Sequence, residues 1–157
     1  MPKKLAVTTL FAFALAAFTG QALAATDYSG EWKLNVAKSE FGPAPAPEMM
    51  TRTITHKDPN LQIKTHQKGA QGEITSEVKY TTDGKETTNT VNGAPSKGKA
   101  MYEGGKLVIE SNREFQGGEI KFKETYNLSG DGKVLTINNH VNFQGNEFDL
   151  TYVFEKQ

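Results

Sequence analysis

The sequence predicts an all-β chain, an antiparallel up-and-down β-barrel of about 8–10 strands with a proline-rich lid loop after the first strand. Three observations carry that prediction. Turn signals recur at near-regular spacing from Asp58-Pro59 through Lys68 to Gly72, Asp83-Gly84, Gly93 to Pro95, Gly104-Gly105, Gly117-Gly118, Asp131-Gly132 and Gly145-Asn146. The runs between them are about six to ten residues long, the length of a strand. Those runs alternate apolar with polar residues, so each has one dry face and one wet face.

The chain opens with a segment that is set apart before the fold is read. Lys3 and Lys4 give a positive start, Leu5 to Phe18 an apolar stretch and Ala22-Leu23-Ala24 a small-x-small cleavage site, the pattern of a secretory signal peptide over residues 1–24. The apolar stretch falls short of the roughly 20 residues that a bilayer demands, so no integral membrane span is expected after signal removal. Removing 24 of the 157 residues leaves 133, enough for one domain over residues 25–157 with a modest core. The leader holds two of the 18 basic residues and none of the 18 acidic ones, so 16 face 18 in the remainder, a formal charge of −2. That balance argues against nucleic acid as a partner. Zero cysteines exclude disulfides and thiol chemistry. An exported, periplasmic or secreted monomer is the expectation.

The first strand is Gly30-Glu-Trp-Lys-Leu34, with Gly30, Trp32 and Leu34 inward. Its Gly-x-Trp resembles the start of the lipocalin and fatty-acid-binding superfamily, in which the tryptophan closes the floor of the barrel. The longer stretch Gly30-x-Trp-Lys-Leu-Asn-x-x-Lys-Ser-x-Phe41, with prolines after it, resembles a group of uncharacterised exported bacterial lipocalin-like proteins. The resemblance implies a calycin-type barrel and a compartment. It covers some 18 residues, and the helix pair of the fatty-acid-binding branch and the C-terminal helix of lipocalins are missing. The family's long first connection corresponds to Asn35–Glu48, where Gly42-Pro-Ala-Pro-Ala-Pro47 favours a stiff, extended strap. A trace of helical periodicity from Asn35 to Phe41 is too short to count as an element. Thr26-Asp27-Tyr28 lies before the Gly-x-Trp rather than in the later loop where lipocalins place such a triplet, so no role follows from it.

The later strands are clearest. In Glu119 to Leu128, Ile120, Phe122, Tyr126 and Leu128 share one face, and Leu135, Ile137, Val141 and Phe143, then Phe148, Leu150, Tyr152 and Phe154, repeat the pattern. Turn length tests the register, because a one-residue slip sends every apolar side chain to the wrong face. A two-residue turn at Asp58-Pro59 sets Ile54 opposite Ile63, and one at Gly104-Gly105 sets Tyr102 opposite Leu107 and Ala100 opposite Ile109. Turns at Gly117-Gly118 and Gly145-Asn146 set Phe115 opposite Ile120 and Phe143 opposite Phe148. All four agree on one buried face. About ten such strands in sequence order leave two exposed edges unless the first and last meet, and closure removes both. An outer-membrane barrel would turn the apolar face to lipid, whereas here the charges occupy the outer face. A β-sandwich is the remaining rival.

With these registers one inward level reads Ile54, Ile63, Val78, Asn89, Gly98, Ser111, Glu124, Asn139, Tyr152, half apolar and half polar. Arg113 falls opposite Phe122 and diagonal to Glu124, and Arg52 and His56 share the inward parity of Ile54. An inward carboxylate and guanidinium are costly unless paired or hydrated. Two readings stay open. In one, Glu124 and Arg113 form an internal ion pair completed by Ser111, Asn139 and Tyr152. In the other, the polar half receives the head of an amphipathic ligand and Trp32, Phe122, Tyr126, Phe148 and Phe154 hold its body. The candidate ligand-binding set is Trp32, Arg52, Ser111, Arg113, Phe122, Glu124, Tyr126, Asn139 and Tyr152.

No catalytic or metal-binding residue is assigned and no cofactor is expected. His56 lies opposite Leu61 and His66 opposite Thr51, on opposite faces, and His140 points outward, so no two share an ion. The glycines mark hairpins rather than a phosphate loop, and no nucleophile sits in an elbow motif. The expected function is non-enzymatic binding of a small hydrophobic or amphipathic molecule. The alternatives are a structural or interaction barrel filled by its own side chains and, further off, a barrel enzyme acting on a lipophilic substrate.

Overall fold

The computed structural model describes residues 25–157 except Gln71, so the expected leader over residues 1–24 lies outside the described residues. Ten antiparallel strands follow one another: β1 (Gly30–Leu34), β2 (Met49–Lys57), β3 (Asn60–Gly69), β4 (Gly72–Thr81), β5 (Thr87–Val91), β6 (Ala94–Glu103), β7 (Lys106–Phe115), β8 (Gly118–Leu128), β9 (Val134–Phe143) and β10 (Asn146–Lys156). A single turn of 3-10 helix, Val36–Lys38, is all that comes of the helical trace after β1.

The spatial order is β4-β3-β2-β1-β10-β9-β8-β7-β6-β5. The first strand therefore meets the last, with Trp32 opposite Lys156 and Leu34 opposite Phe154. No ladder joins β4 to β5 among the described residues. Side chains bridge that seam instead: the Asn89 amide accepts from the Lys79 N–H at 2.8 Å and donates to the Lys79 carbonyl at 3.1 Å, and the Thr87 hydroxyl donates to the same carbonyl at 3.1 Å. The result is a nearly closed barrel in which side chains of β5 serve both backbone groups of Lys79 across the seam.

Ile54 lies opposite Ile63, Tyr102 opposite Leu107 and Ala100 opposite Ile109, as turn length predicts. Two predicted pairings are corrected. Phe115 pairs with Gly118 and Ile120 with Arg113, while Phe143 pairs with Asn146 and Phe148 with Val141. The turns sit one residue earlier than expected, at Gln116-Gly117 and Gln144-Gly145. Both residues of each take positive φ, 49° and 76° in the first and 52° and 85° in the second, which matches the twist of a two-residue hairpin. The shift is two residues, so every side chain keeps its predicted face. It does move levels, setting Ile109 opposite Glu124 and Asn139 opposite Leu150, and the β5–β6 hairpin separately sets Asn89 opposite Ser96 instead of Gly98.

β1 has five residues, whereas its neighbours β2 and β10 have nine and eleven. Beyond Leu34 the connection 35–48 fills the missing wall. The Asn35 N–H donates to the Val153 carbonyl at 2.8 Å, and Glu40 exchanges two 2.8 Å backbone bonds with Thr151. Phe41 rests on Tyr152 with ring centroids 5.9 Å apart, and Ala44 packs against the cluster of Ile120, Val141 and Leu150. The proline run then crosses to β2, where Pro47 is buried and the Glu48 N–H donates to the Lys68 carbonyl at 2.9 Å.

The core divides along the barrel. At the end bearing the β2–β3, β6–β7 and β8–β9 turns, Tyr28, Trp32, Leu107, Tyr126, Leu135, Ile137 and Phe154 are all buried to 2 % exposure or less. Each such side chain contributes about 1.5–3 kcal/mol of burial. The opposite end holds a smaller cluster of Ile120, Val141 and Leu150 with half-buried phenylalanines around it.

Candidate functional site

Between the two clusters lies an interior cavity of about 350 Å³, open toward the β3–β4, β5–β6 and β7–β8 turns. Met50, Ile63, Val78, Ile109 and Phe122 supply its apolar wall, and Arg52, Arg113, Glu124, Tyr80, Tyr126 and Tyr152 its polar points. Alternation places all of them: each is an inward position of its strand.

The predicted ion pair exists with a different arginine. Glu124 binds Arg52, not Arg113: the Arg52 Nη2 lies 2.9 Å from Glu124 Oε1, and its Nη1 donates to the Tyr126 hydroxyl at 2.8 Å. The Tyr126 hydroxyl in turn donates to Glu124 Oε2 at 3.0 Å, closing a three-membered ring of charge-assisted bonds. The two-residue register shift explains the exchange, since it sets Glu124 at the level of Ile109 and moves Arg113 two pairs toward the open end. Across the barrel, Arg52 reaches Glu124 with its guanidinium 5.5 Å above the Phe154 ring. Burial disfavours the Arg52 charge, but Glu124 and Tyr126 outweigh it and raise the group above its ordinary value. Burial pushes the Tyr126 hydroxyl well above the usual phenol range.

Two further phenols complete the deep half. Tyr80 lies across Gly98, where a Cβ would come within 3.0 Å of its ring and 2.8 Å of the Glu110 carbonyl, so the missing side chain of Gly98 makes room for it. Burial pushes Tyr80 up to about 12, and it raises Tyr152 as well. Both hydroxyls therefore stay protonated and can donate as well as accept. Arg52 Nε and Asn139 Oδ1 are buried without a hydrogen-bond partner.

Arg113 stands apart. Its guanidinium lies 5.1 Å above the Phe122 ring, no carboxylate among the described residues comes within ion-pair distance, and burial alone lowers it. It is one inward position from the β7–β8 tip, opposite Ser96 on one side and Ile120 on the other rather than opposite Phe122.

Of the nine residues predicted from sequence, eight line this cavity. Trp32 does not: it is fully buried in the closed end, donating from Nε1 to the Tyr28 carbonyl at 3.1 Å, with the Lys156 ammonium 5.4 Å above its ring. Sequence reasoning missed Tyr80, which shares the inward parity of Val78, and Tyr28, which plugs the closed end with its hydroxyl between the Leu107 N–H and the Tyr126 carbonyl, 3.4 Å from each. His56 is inward and buried as expected. It links the β2–β3 turn to β6 through Tyr102, whose hydroxyl lies 3.1 Å from His56 Nε2 and donates to Asp58 at 3.2 Å. A second hollow, about 410 Å³, lies over the outer face of β6 to β9, where Glu110 pairs with Lys99 at 3.0 Å and with Lys123 at 3.6 Å.

No protein-family model matches the chain, and no curated protein matches it significantly. Solved structures do. A secretory abundant heat soluble protein from Ramazzottius varieornatus is similar over 83 % of this chain and 95 % of its own, with a TM-score of 0.62 at 15 % identity. Zebrafish ileal bile acid-binding protein, complexed with cholic acid, is similar over 83 % and 98 %, with a TM-score of 0.61 at 18 % identity. The chain folds as a calycin-type β-barrel. The fluorescent protein UnaG shares the fold as well, with a TM-score of 0.56 at 17 % identity over 83 % of this chain and 97 % of that one. Within this calycin-type barrel, the residues 35–48 run along the wall between β2 and β10.

Proposed function

We propose that the protein is an exported, non-enzymatic binding protein that holds a small hydrophobic or amphipathic molecule inside the barrel. The observation that carries the reading is the interior cavity of about 350 Å³, within the range of about 300–1,000 Å³ of small-molecule sites and lined by an apolar wall with a few convergent polar groups. A barrel packed solid by its own side chains leaves no such space. The same-fold zebrafish protein, crystallised with cholic acid, supports the reading by analogy of fold alone. The strap over residues 42–47 serves as a cover at the rim, stiff because prolines limit its backbone. The molecule acts as a monomer in the periplasm or outside the cell and needs no cofactor.

Native mass spectrometry of the protein purified gently from the envelope of its own host tests this reading. An adduct of constant mass is the expected result and gives the chemical class of the ligand. A bare mass, together with failure to bind the neutral fluorophore N-phenyl-1-naphthylamine, contradicts it.

A further inference from the structure

The two interior arginines are in opposite electrical states, and that asymmetry has chemical content. Arg52 is neutralised: Glu124 and the Tyr126 hydroxyl occupy both its terminal nitrogens, and its Nε is sealed from solvent. An anion brought to it would meet the Glu124 carboxylate at the same place. Arg113 has no such partner among the described residues and faces the cavity from a half-buried position, with its guanidinium over the Phe122 ring. Of the three charged side chains lining the cavity, Arg52, Arg113 and Glu124, one positive charge is left uncompensated. It sits near the open end: Arg113 lies two residues from Phe115 at the β7–β8 tip, whereas Glu124 pairs with Ile109, four residues farther down β7. At about 3.4 Å per residue the two polar points are roughly 14 Å apart along the strand.

We infer that the cavity selects a monoanionic amphiphile and holds it with the anionic group outward, on Arg113, and the uncharged body inward against Tyr80, Tyr126 and Tyr152. This deepens the ligand-binding reading above and rests on it. A guanidinium with free donors at the mouth matches a carboxylate, sulfonate or sulfate through paired bonds. The deep end takes a neutral group, because its phenols are protonated and its single carboxylate is already bound to Arg52. A polar but uncharged substituent on the buried body, such as a hydroxyl, is favoured there by the phenol hydroxyls of Tyr80 and Tyr152.

A matched pair of fluorophores tests orientation and charge together: 1-anilinonaphthalene-8-sulfonate, which carries one anionic group, and N-phenyl-1-naphthylamine, the same frame without it. The native protein binds both, the anionic probe more tightly. Arg113→Gln weakens the anionic probe by about tenfold and leaves the neutral one within about twofold, and Arg113→Lys restores part of the loss. In a ¹⁵N-labelled sample the Arg113 side-chain Nε–H resonance shifts on adding the sulfonate, while that of Arg52 stays in place. Equal loss of both probes in Arg113→Gln, or unchanged affinity for the anionic one, overturns the assignment of the anion to Arg113 and leaves ligand binding intact. If neither probe binds the native protein, both readings fall.

Discussion

The two ends of this barrel are built from the same hairpins and do opposite work. At the closed end, Tyr28, Trp32, Leu135 and Phe154 are buried to 2 % exposure or less, and the polar atoms of the first two are tied off, the indole to the Tyr28 carbonyl and the Tyr28 hydroxyl to the backbone of β7 and β8. At the open end the aromatic rings of Phe115, Phe122, Phe143 and Phe148 are only partly covered, Arg113 has no counter-charge, and the wall between β2 and β10 is a strap instead of a strand. Stability therefore concentrates where nothing can enter, and accessibility where little stability is at stake. The deep Arg52–Glu124–Tyr126 ring marks the boundary between the halves.

The largest effects are expected at and below that boundary. Trp32→Ala should destabilise by about 3–5 kcal/mol, because it deletes a fully buried ring that neighbouring strands cannot move in to replace. Glu124→Ala should cost a similar amount, about 3–5 kcal/mol, by leaving the Arg52 charge buried and unpaired, since the two side chains are only 17 % and 11 % exposed. Denaturant unfolding of the double variant R52M/E124M checks the origin of that loss: most of the stability should return, whereas a simple cavity effect would grow worse.

A smaller and distinctive effect concerns alkali. All five tyrosines of the chain are raised above the ordinary phenol value of 10, in each case first by burial, with Tyr80 and Tyr102 pushed to about 12. A group whose folded value is raised contributes stability that is full below its unfolded value and is lost as pH rises through the folded one. Stability should therefore hold to about pH 10 and fall between pH 10 and 12. The phenolate absorbance should appear in one step coincident with loss of circular dichroism, not as five independent titrations near the usual phenol value. The smallest effect belongs to the open end. Phe115 is 42 % exposed at a hairpin tip, so Phe115→Ala should change unfolding free energy by no more than about 0.5 kcal/mol.

The contrast between the ends also explains what could be read from the residues alone. Alternation in β2 and in β7 to β10 fixes faces, and faces are all that is needed to place Arg52, Ser111, Arg113, Phe122, Glu124, Tyr126, Asn139 and Tyr152 toward one interior. Levels are harder. Gly117-Gly118 and Gln116-Gly117 both read as two-residue turns by composition, and the hairpin uses the second, with Gln116 itself at a positive φ of 49°. That one-residue difference in turn position moved Glu124 from Arg113 to Arg52. Trp32 was placed in the site because its residue type suits a ligand wall. Its fate was decided by Tyr28, which fills the barrel below it from a segment with no strand pattern of its own.

The central claim is that the open half of the interior is a binding space separable from the packed half. Ser111→Phe tests it directly by adding a ring to the cavity lining on β7, at the Ser111–Phe122 pair and not at the Ile109–Glu124 pair. Fluorescence titration with N-phenyl-1-naphthylamine, read beside thermal unfolding, should show binding reduced at least tenfold with the unfolding midpoint within a few degrees of the native protein. Undiminished binding in the well-folded variant would contradict the account and place the ligand elsewhere on the molecule.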